Sequence, residues 1–129
     1  MMDTSNQLEG TKLANFTPIA AVDELAVIDT VVGTGDEVQP GATITAHYTG
    51  ALCKDATIFQ SSHDFGEAIT FPLDRVIAGW TQGVPGMRVG GVRRLIIPSE
   101  MAYGSVRAAA NIPPNSDLVF DIELVAIEQ

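Results

Sequence analysis

Cations, cysteines and long apolar runs are all scarce in this sequence, and each scarcity removes a class of function. Seven Lys and Arg stand against sixteen Asp and Glu, a formal charge of −9. Binding a polyanion requires clustered cations, so nucleic acid is not expected as a partner. Cys53 is the only cysteine, which excludes an intramolecular disulfide and a zinc site built of thiolates and leaves a small core residue. No apolar run reaches the roughly 18 residues of a spanning segment, and no basic stretch leading into an apolar run opens the chain. A soluble, cytoplasmic chain with no membrane partner is therefore expected, export of a longer precursor being left open. Also missing are a Gly-rich phosphate loop ahead of a long helix, a nucleophile elbow and a pair of histidines at ligand spacing. Covalent catalysis has no candidate, and neither a metal nor a cofactor is expected.

What is present suits one core. A chain of 129 residues, 46% hydrophobic, is the size of a single globular domain. Residues 1–22 mix polar residues with isolated Leu13, Phe16 and Ile19 and keep no regular period, so they read as an N-terminal arm. Phe16 and Ile19 are expected to pin this arm to the domain formed by residues 23–129, the alternative being an arm that binds a partner. The β-branched run ELAVIDTVV (24–32) closes at Gly33-Thr34-Gly35-Asp36 and predicts a strand. Residues 42–53 alternate, with Ile44, Ala46 and Tyr48 on one face and Thr43, Thr45, His47 and Thr49 on the other. Residues 57–61 and 68–73 predict two short strands, the second carrying Ile69 and Phe71 and limited by Pro72. Asp74 is placed to cap a short helix whose face joins Val76, Ile77 and Trp80 before Gly83 and Pro85 end it. So short a helix is marginal alone and must lean on the sheet.

After Gly90-Gly91, VRRLIIP predicts another strand, and residues 98–116 form a long Pro-containing loop. Loops above roughly 12 residues without their own structure are usually functional or disordered, and the stiff Pro113-Pro114-Asn115 favours function. Asp117 to Ile127 alternates strictly through Leu118, Phe120, Ile122 and Leu124, with Asp121 and Glu123 expected to face water. The sum is an α+β fold, five to six antiparallel strands in a twisted sheet around one short helix. His47 and His63 read as structural or solvated. Arg88, Arg93, Arg94 and Arg107 read as a solvated strand face, the alternative being a surface that recruits an acidic partner. The aromatic residues are more telling. Tyr48, Phe59, Trp80, Tyr103 and Phe120 fall one to an element, and Trp80 on a helix together with Tyr103 in a long loop suggests a pocket wall at the end of the sheet.

At these residues the chain resembles the FKBP family of prolyl isomerases. HYTG (47–50), IFQSS (58–62), VIAGW (76–80), GVPGMRVGG (83–91), AYG (102–104) and IPPNSDLVFDIEL (112–124) keep the family's order and near-family spacing over residues 24–128. The resemblance implies an antiparallel half-barrel wrapped on a short helix, with a proline ring received on the indole of Trp80. It implies pocket positions at Tyr48, Phe59, Val76, Ile77, Tyr103, Ile112 and Phe120, with the Ile77 N–H and the Tyr103 hydroxyl donating to substrate or macrolide carbonyls. It also makes residues 98–116 a flap. Proline-containing proteins or peptides are the expected partners, rapamycin-like macrolides possible ligands, and a monomer the expected state.

Four departures stand out. Gln60 replaces a frequent aspartate, Ile69 a frequent pocket phenylalanine, and Arg75 a glutamate whose main-chain carbonyl the family uses; the flap carries Ala108 to Ala110 where histidine or glycine is common. Peptidyl-prolyl cis-trans isomerisation aiding protein folding is the expected activity. The alternatives are a non-catalytic binding or chaperone module and a plain small-ligand carrier, the last disfavoured because so few strands enclose no large barrel cavity.

Overall fold

A computed structural model of the chain describes residues 8–105 and 111–128. Six strands form along it, β1 (Ala26–Val31), β2 (Thr43–Leu52), β3 (Ile58–Ser61), β4 (Ile69–Pro72), β5 (Val92–Ile97) and β6 (Leu118–Ile127), with one helix, α1 (Ala78–Gly83), between β4 and β5. The sheet order is β1-β5-β6-β2-β3, and β4 also pairs with β2. Every pairing is antiparallel. β2 bridges both arms of the half-barrel: its first half meets β4 (Thr43↔Pro72 to Ala46↔Ile69) and its second half meets β3 (Thr49↔Ser61 to Ala51↔Ile58). Register shifts at Thr45/Ala46 against β6 and at Gly50/Ala51 against β3 bend this strand, as bulges do by increasing local twist.

The alternation read in the sequence becomes the core. Ile44, Ala46, Leu95, Ile97, Leu118, Phe120, Ile122 and Leu124 point inward and are buried with Trp80, Val84 and Met87. α1 lies against β5 because its glycines permit it. A Cβ at Gly79 would stand 2.5 Å from Ile97 Cδ1, and one at Gly83 would stand 2.8 Å from Leu95 Cδ2. Buried Arg93 closes the helix at its other end, donating from Nη1 to the carbonyls of Gly83 (2.8 Å) and Pro85 (3.1 Å) while its Nε meets Asp29 Oδ1 at 2.7 Å. A cation on carbonyls that a helix leaves without partners is a favourable C-terminal contact.

The helix start differs from the expectation. Its N-cap is Ile77, which makes no side-chain capping bond, so Asp74 does not cap it, and Val76 and Ile77 precede the helix rather than sharing its face. The residues in between are held as a separate turn, with the Arg75 N–H donating to Pro72 O (3.1 Å) and the Thr81 hydroxyl to Leu73 O (2.6 Å).

The second face of β6 differs too. Val119 is fully buried with Ala51, Cys53, Ala56 and Ile58 beneath Leu8, Leu13, Phe16 and Ile19 of the N-terminal segment. That segment is fastened through its backbone, by Gly10 N–H to Ile58 O, Ile58 N–H to Thr11 O, Leu13 N–H to Ala56 O and Ile19 N–H to Cys53 O, each at 2.8 Å. Asp121 does not simply face water either, since Arg94 holds it (Nε to Oδ1 2.7 Å, Nη2 to Oδ2 2.8 Å) and donates to the Ala14 and Asn15 carbonyls. Hydrogen bonding to Asp121 raises the Arg94 pKa above its ordinary value against the opposing effect of burial. Thus Phe16 and Ile19 do pin the segment, covering an edge and a face of the sheet that would otherwise be open. Among the cations expected to form a solvated face, Arg93 and Arg94 are spent on internal pairs and Arg88 lies 3.7 Å from Glu37. Arg107 lies outside the described residues.

Candidate active site

Where the two arms of the half-barrel open above α1, ten residues line a cavity of about 510 Å³: Tyr48, Phe59, Gln60, Phe71, Arg75, Val76, Ile77, Trp80, Tyr103 and Phe120. Small-molecule sites run from about 300 to 1,000 Å³, so a proline ring with a flanking residue fits. Trp80 is the hub. It meets Tyr48, Phe71 and Phe120 edge to face, with ring centroids 5.7, 5.0 and 5.4 Å away, and Phe120 meets Phe59 at 5.7 Å. Trp80 is buried, and its Nε1 has no acceptor among the described residues. Packing therefore fixes this ring, in the edge-on geometry that aromatic quadrupoles favour.

Each wall follows from local structure. Tyr48 and Gly50 belong to the inward phase of β2, where the glycine is required for space. A Cβ on Gly50 would lie 2.5 Å from Phe59 Cζ and 2.7 Å from Phe120 Cε1, so the Phe59–Phe120 contact exists because position 50 has no side chain. The Ile77 N–H has no acceptor among the described residues. Tyr103, 40% exposed, stands at the rim. The loop carrying it is tied down by Asn111 Nδ2 donating to Phe59 O (2.9 Å) and Asn115 N–H donating to Gly104 O (2.7 Å).

Of the residues expected at the site, Tyr48, Phe59, Gln60, Val76, Ile77, Trp80, Tyr103 and Phe120 come together. Ile69 and Ile112 are not on the cavity wall. Ile69 sits opposite Ala46 at the start of β4, and the wall from that strand is Phe71, two residues on. Ile112 is buried in the main core. Phe71 was legible in principle, because it shares the period-two face of Ile69. Ala108 to Ala110 of the flap lie outside the described residues.

The chemistry of the lining is spare. No Asp, Glu, His, Lys or Cys is among the ten residues, and Arg75 is their single charged side chain. Burial, with the neighbouring Tyr103 adding to it, raises the Tyr48 pKa above its ordinary 10.0, so this hydroxyl keeps its proton at neutral pH. His47 and His63 are elsewhere, stacked at 4.2 Å, with His47 sharing a hydrogen bond with Ser62 and His63 Nε2 lying 2.6 Å from Glu123. The site can hold an apolar ring and offer neutral donors to a carbonyl, and among the described residues it has no group placed to take or give a proton at neutral pH.

Comparison with known proteins agrees with this geometry. Residues 35–125 match the model of the FKBP-type peptidyl-prolyl cis-trans isomerase family. The chain is 49% identical over 94 residues to the peptidyl-prolyl cis-trans isomerase FPR2 of Saccharomyces cerevisiae, covering 71% of this chain and 70% of that one. It is 44% identical over 105 residues to the FK506-binding protein of Neisseria meningitidis serogroup B, covering 80% and 95% respectively. The crystal structure of FkpA from Escherichia coli superposes with a TM-score of 0.74 at 37% identity, over 85% of this chain and 53% of that chain, so this chain spans about half of that relative. The half-barrel, the aromatic cavity and these matches together show that the chain belongs to the FKBP-type peptidyl-prolyl cis-trans isomerase family.

Proposed function

We propose that this chain accelerates rotation about X-Pro bonds of protein substrates within the Trp80 cavity, aiding folding, by shape, apolarity and neutral hydrogen bonds alone. The observation that carries this reading is the lining itself, six aromatic residues around one cavity with no carboxylate, histidine, lysine or cysteine among the described lining residues. An amide resists rotation by roughly 18–20 kcal/mol because resonance holds it planar. Twisting removes that resonance and the extra negative charge on the carbonyl oxygen, so an apolar cavity disfavours the planar form more than the twisted one. In this reading the proline ring rests against the Trp80 indole between Tyr48, Phe59 and Phe120. The Ile77 N–H and the Tyr103 hydroxyl hold substrate carbonyls in the twisted geometry. One or two hydrogen bonds of about 1–3 kcal/mol each, made only in that geometry, supply from about fivefold to about ten-thousandfold.

A single chain contributes all ten lining residues, so a monomer is the proposed working unit. The same walls would take a rapamycin-like macrolide, with Gln60 offering an amide rather than a carboxylate to it. A proline-limited refolding assay tests the function directly. Micromolar protein is expected to accelerate the slow phase, and an unchanged phase refutes the reading. Rapamycin is expected to inhibit that acceleration by occupying the cavity; acceleration unaffected by saturating rapamycin would refute the macrolide part alone.

A further inference from the structure

We infer that this site selects X-Pro bonds flanked by an acidic side chain, with Arg75 as the specificity-determining residue; the inference rests on the isomerase reading above and deepens it. The charge balance of the chain and that of its cavity are opposite. The chain carries −9, yet among the described residues the cavity lining holds one cation and no carboxylate. The other described arginines are committed: Arg93 to Asp29, Arg94 to Asp121 and Arg88 to Glu37. Arg75 is exposed and has no carboxylate partner or side-chain hydrogen bond among the described residues. Arg75 thus lines the cavity as a residue whose guanidinium, a group of five N–H donors, has no partner among the described residues.

Gln60 completes the arrangement. It also lines the cavity and is exposed, and an amide there leaves the Arg75 charge uncompensated. The net charge of the chain does not cancel this effect. Exposed charges farther apart than a Debye length, about 8 Å at physiological salt, are largely screened, so the cation within the site governs a carboxylate bound beside the proline. Low-dielectric aromatic walls focus that field. Against Arg75, a substrate glutamate gains an attraction, a glutamine gains none and a lysine is repelled.

The test compares three otherwise identical peptides carrying Glu, Gln or Lys next to the proline, in one series before it and in a second series after it. Isomerisation is followed by NMR exchange so that no coupling protease imposes its own preference. Exposed ion pairs are weak, so kcat/KM for the Glu peptide is expected to exceed that for the Gln peptide by about two- to fivefold in at least one series. The Lys peptide is expected to fall below both. R75Q brings the Glu/Gln ratio to one, R75E inverts it in favour of Lys, and Q60D lowers it through a different residue. Raising the salt to about 1 M, where the Debye length is about 3 Å, collapses the ratio in the wild-type protein. Ratios within one variant are insensitive to how much of it folds. A Glu/Gln ratio of one in both series, or a ratio unchanged in R75Q, overturns the inference while leaving the isomerase reading intact. Absence of acceleration with every peptide, a Leu-Pro control included, overturns both.

Discussion

Replacing Gly50 with alanine tests whether the cavity depends on a residue that does not line it. The backbone at this position is not in the left-handed region, so alanine meets no conformational penalty there. Its Cβ would stand 2.5 Å from Phe59 Cζ and 2.7 Å from Phe120 Cε1. Carbon atoms in contact settle at about 3.5–4.0 Å, so each ring must retreat by roughly 1 Å. Both rings are packed edge to face in the group around Trp80, so they retreat either against their neighbours or into the cavity they line. Overpacking of this kind costs about 1–3 kcal/mol of stability, and a misplacement of about 1 Å at a site can cost on the order of a hundredfold in rate. G50A is therefore expected to lower kcat/KM by about ten- to a hundredfold, with a urea midpoint reduced to match 1–3 kcal/mol, roughly. G41A supplies the comparison. Gly41 has φ +79° with open space around it, so alanine there incurs left-handed strain of about 1–2 kcal/mol without touching the cavity. Similar stability loss with kcat/KM preserved in G41A and lost in G50A is the expected pattern. G50A with wild-type kcat/KM would refute the packing argument.

Three further outcomes follow from other parts of the molecule. Trp80→Leu removes three edge-to-face contacts, each contributing about 0.5–1.5 kcal/mol; thermal unfolding should show a loss of about 1.5–4.5 kcal/mol and the peptide assay at least about a tenfold fall in kcat/KM, measured where the variant is folded. Arg94→Ala breaks the Asp121 pair and the bonds to Ala14 and Asn15, at a cost of about 2 kcal/mol; hydrogen exchange should accelerate at the Gly10, Leu13 and Ile19 amides before it does in β5 and β6. Burial pushes the Cys53 thiol up to about 12 from 9.0, with Asp117 adding to it. The folded thiol then keeps a proton that the unfolded thiol loses, so its contribution to stability is complete below pH 9 and is lost as pH rises toward 12. A thiol reagent at about pH 8 should label Cys53 only in denaturant, and labelling of the native protein at the denatured rate would contradict its burial.

Period-two alternation located β2 and β6, which each commit one face to the core, and it placed Tyr48 and Phe120 inward for the same reason; β1, exposed along most of its length, was legible instead from its β-branched residues and the turn that closes it. The helix start was less legible. Asp74 has the chemistry of a cap, but the turn fixed by Thr81 and Leu73 delays α1 to Ala78, and a hydrogen bond between residues eight apart leaves no local pattern. Asp121 was expected in water for a similar reason: strand alternation describes one sheet and is silent about a segment that returns from the N-terminus to cover its outer face. At the site, the aromatic residues could be read from spacing and resemblance, and the Ile77 N–H from resemblance. Ile69 was named from a positional match alone, and Phe71, two residues on along the same face of β4, is the residue on the wall. The role of Gly50 could not be read at all, since a glycine shows its function only through the atoms that occupy the space beside it.

The central claim is catalysis by a cavity whose lining offers no acid or base. The most direct measurement is kcat/KM for a Leu-Pro peptide by NMR exchange from about pH 5 to 9, a range spanning the ordinary carboxylate tail and the histidine and thiol pKa values. The account predicts clear acceleration with a flat profile, because the Tyr48 hydroxyl stays protonated throughout and the lining contains no Asp, Glu, His, Lys or Cys. A bell, or a limb of unit slope in the folded protein, would contradict it.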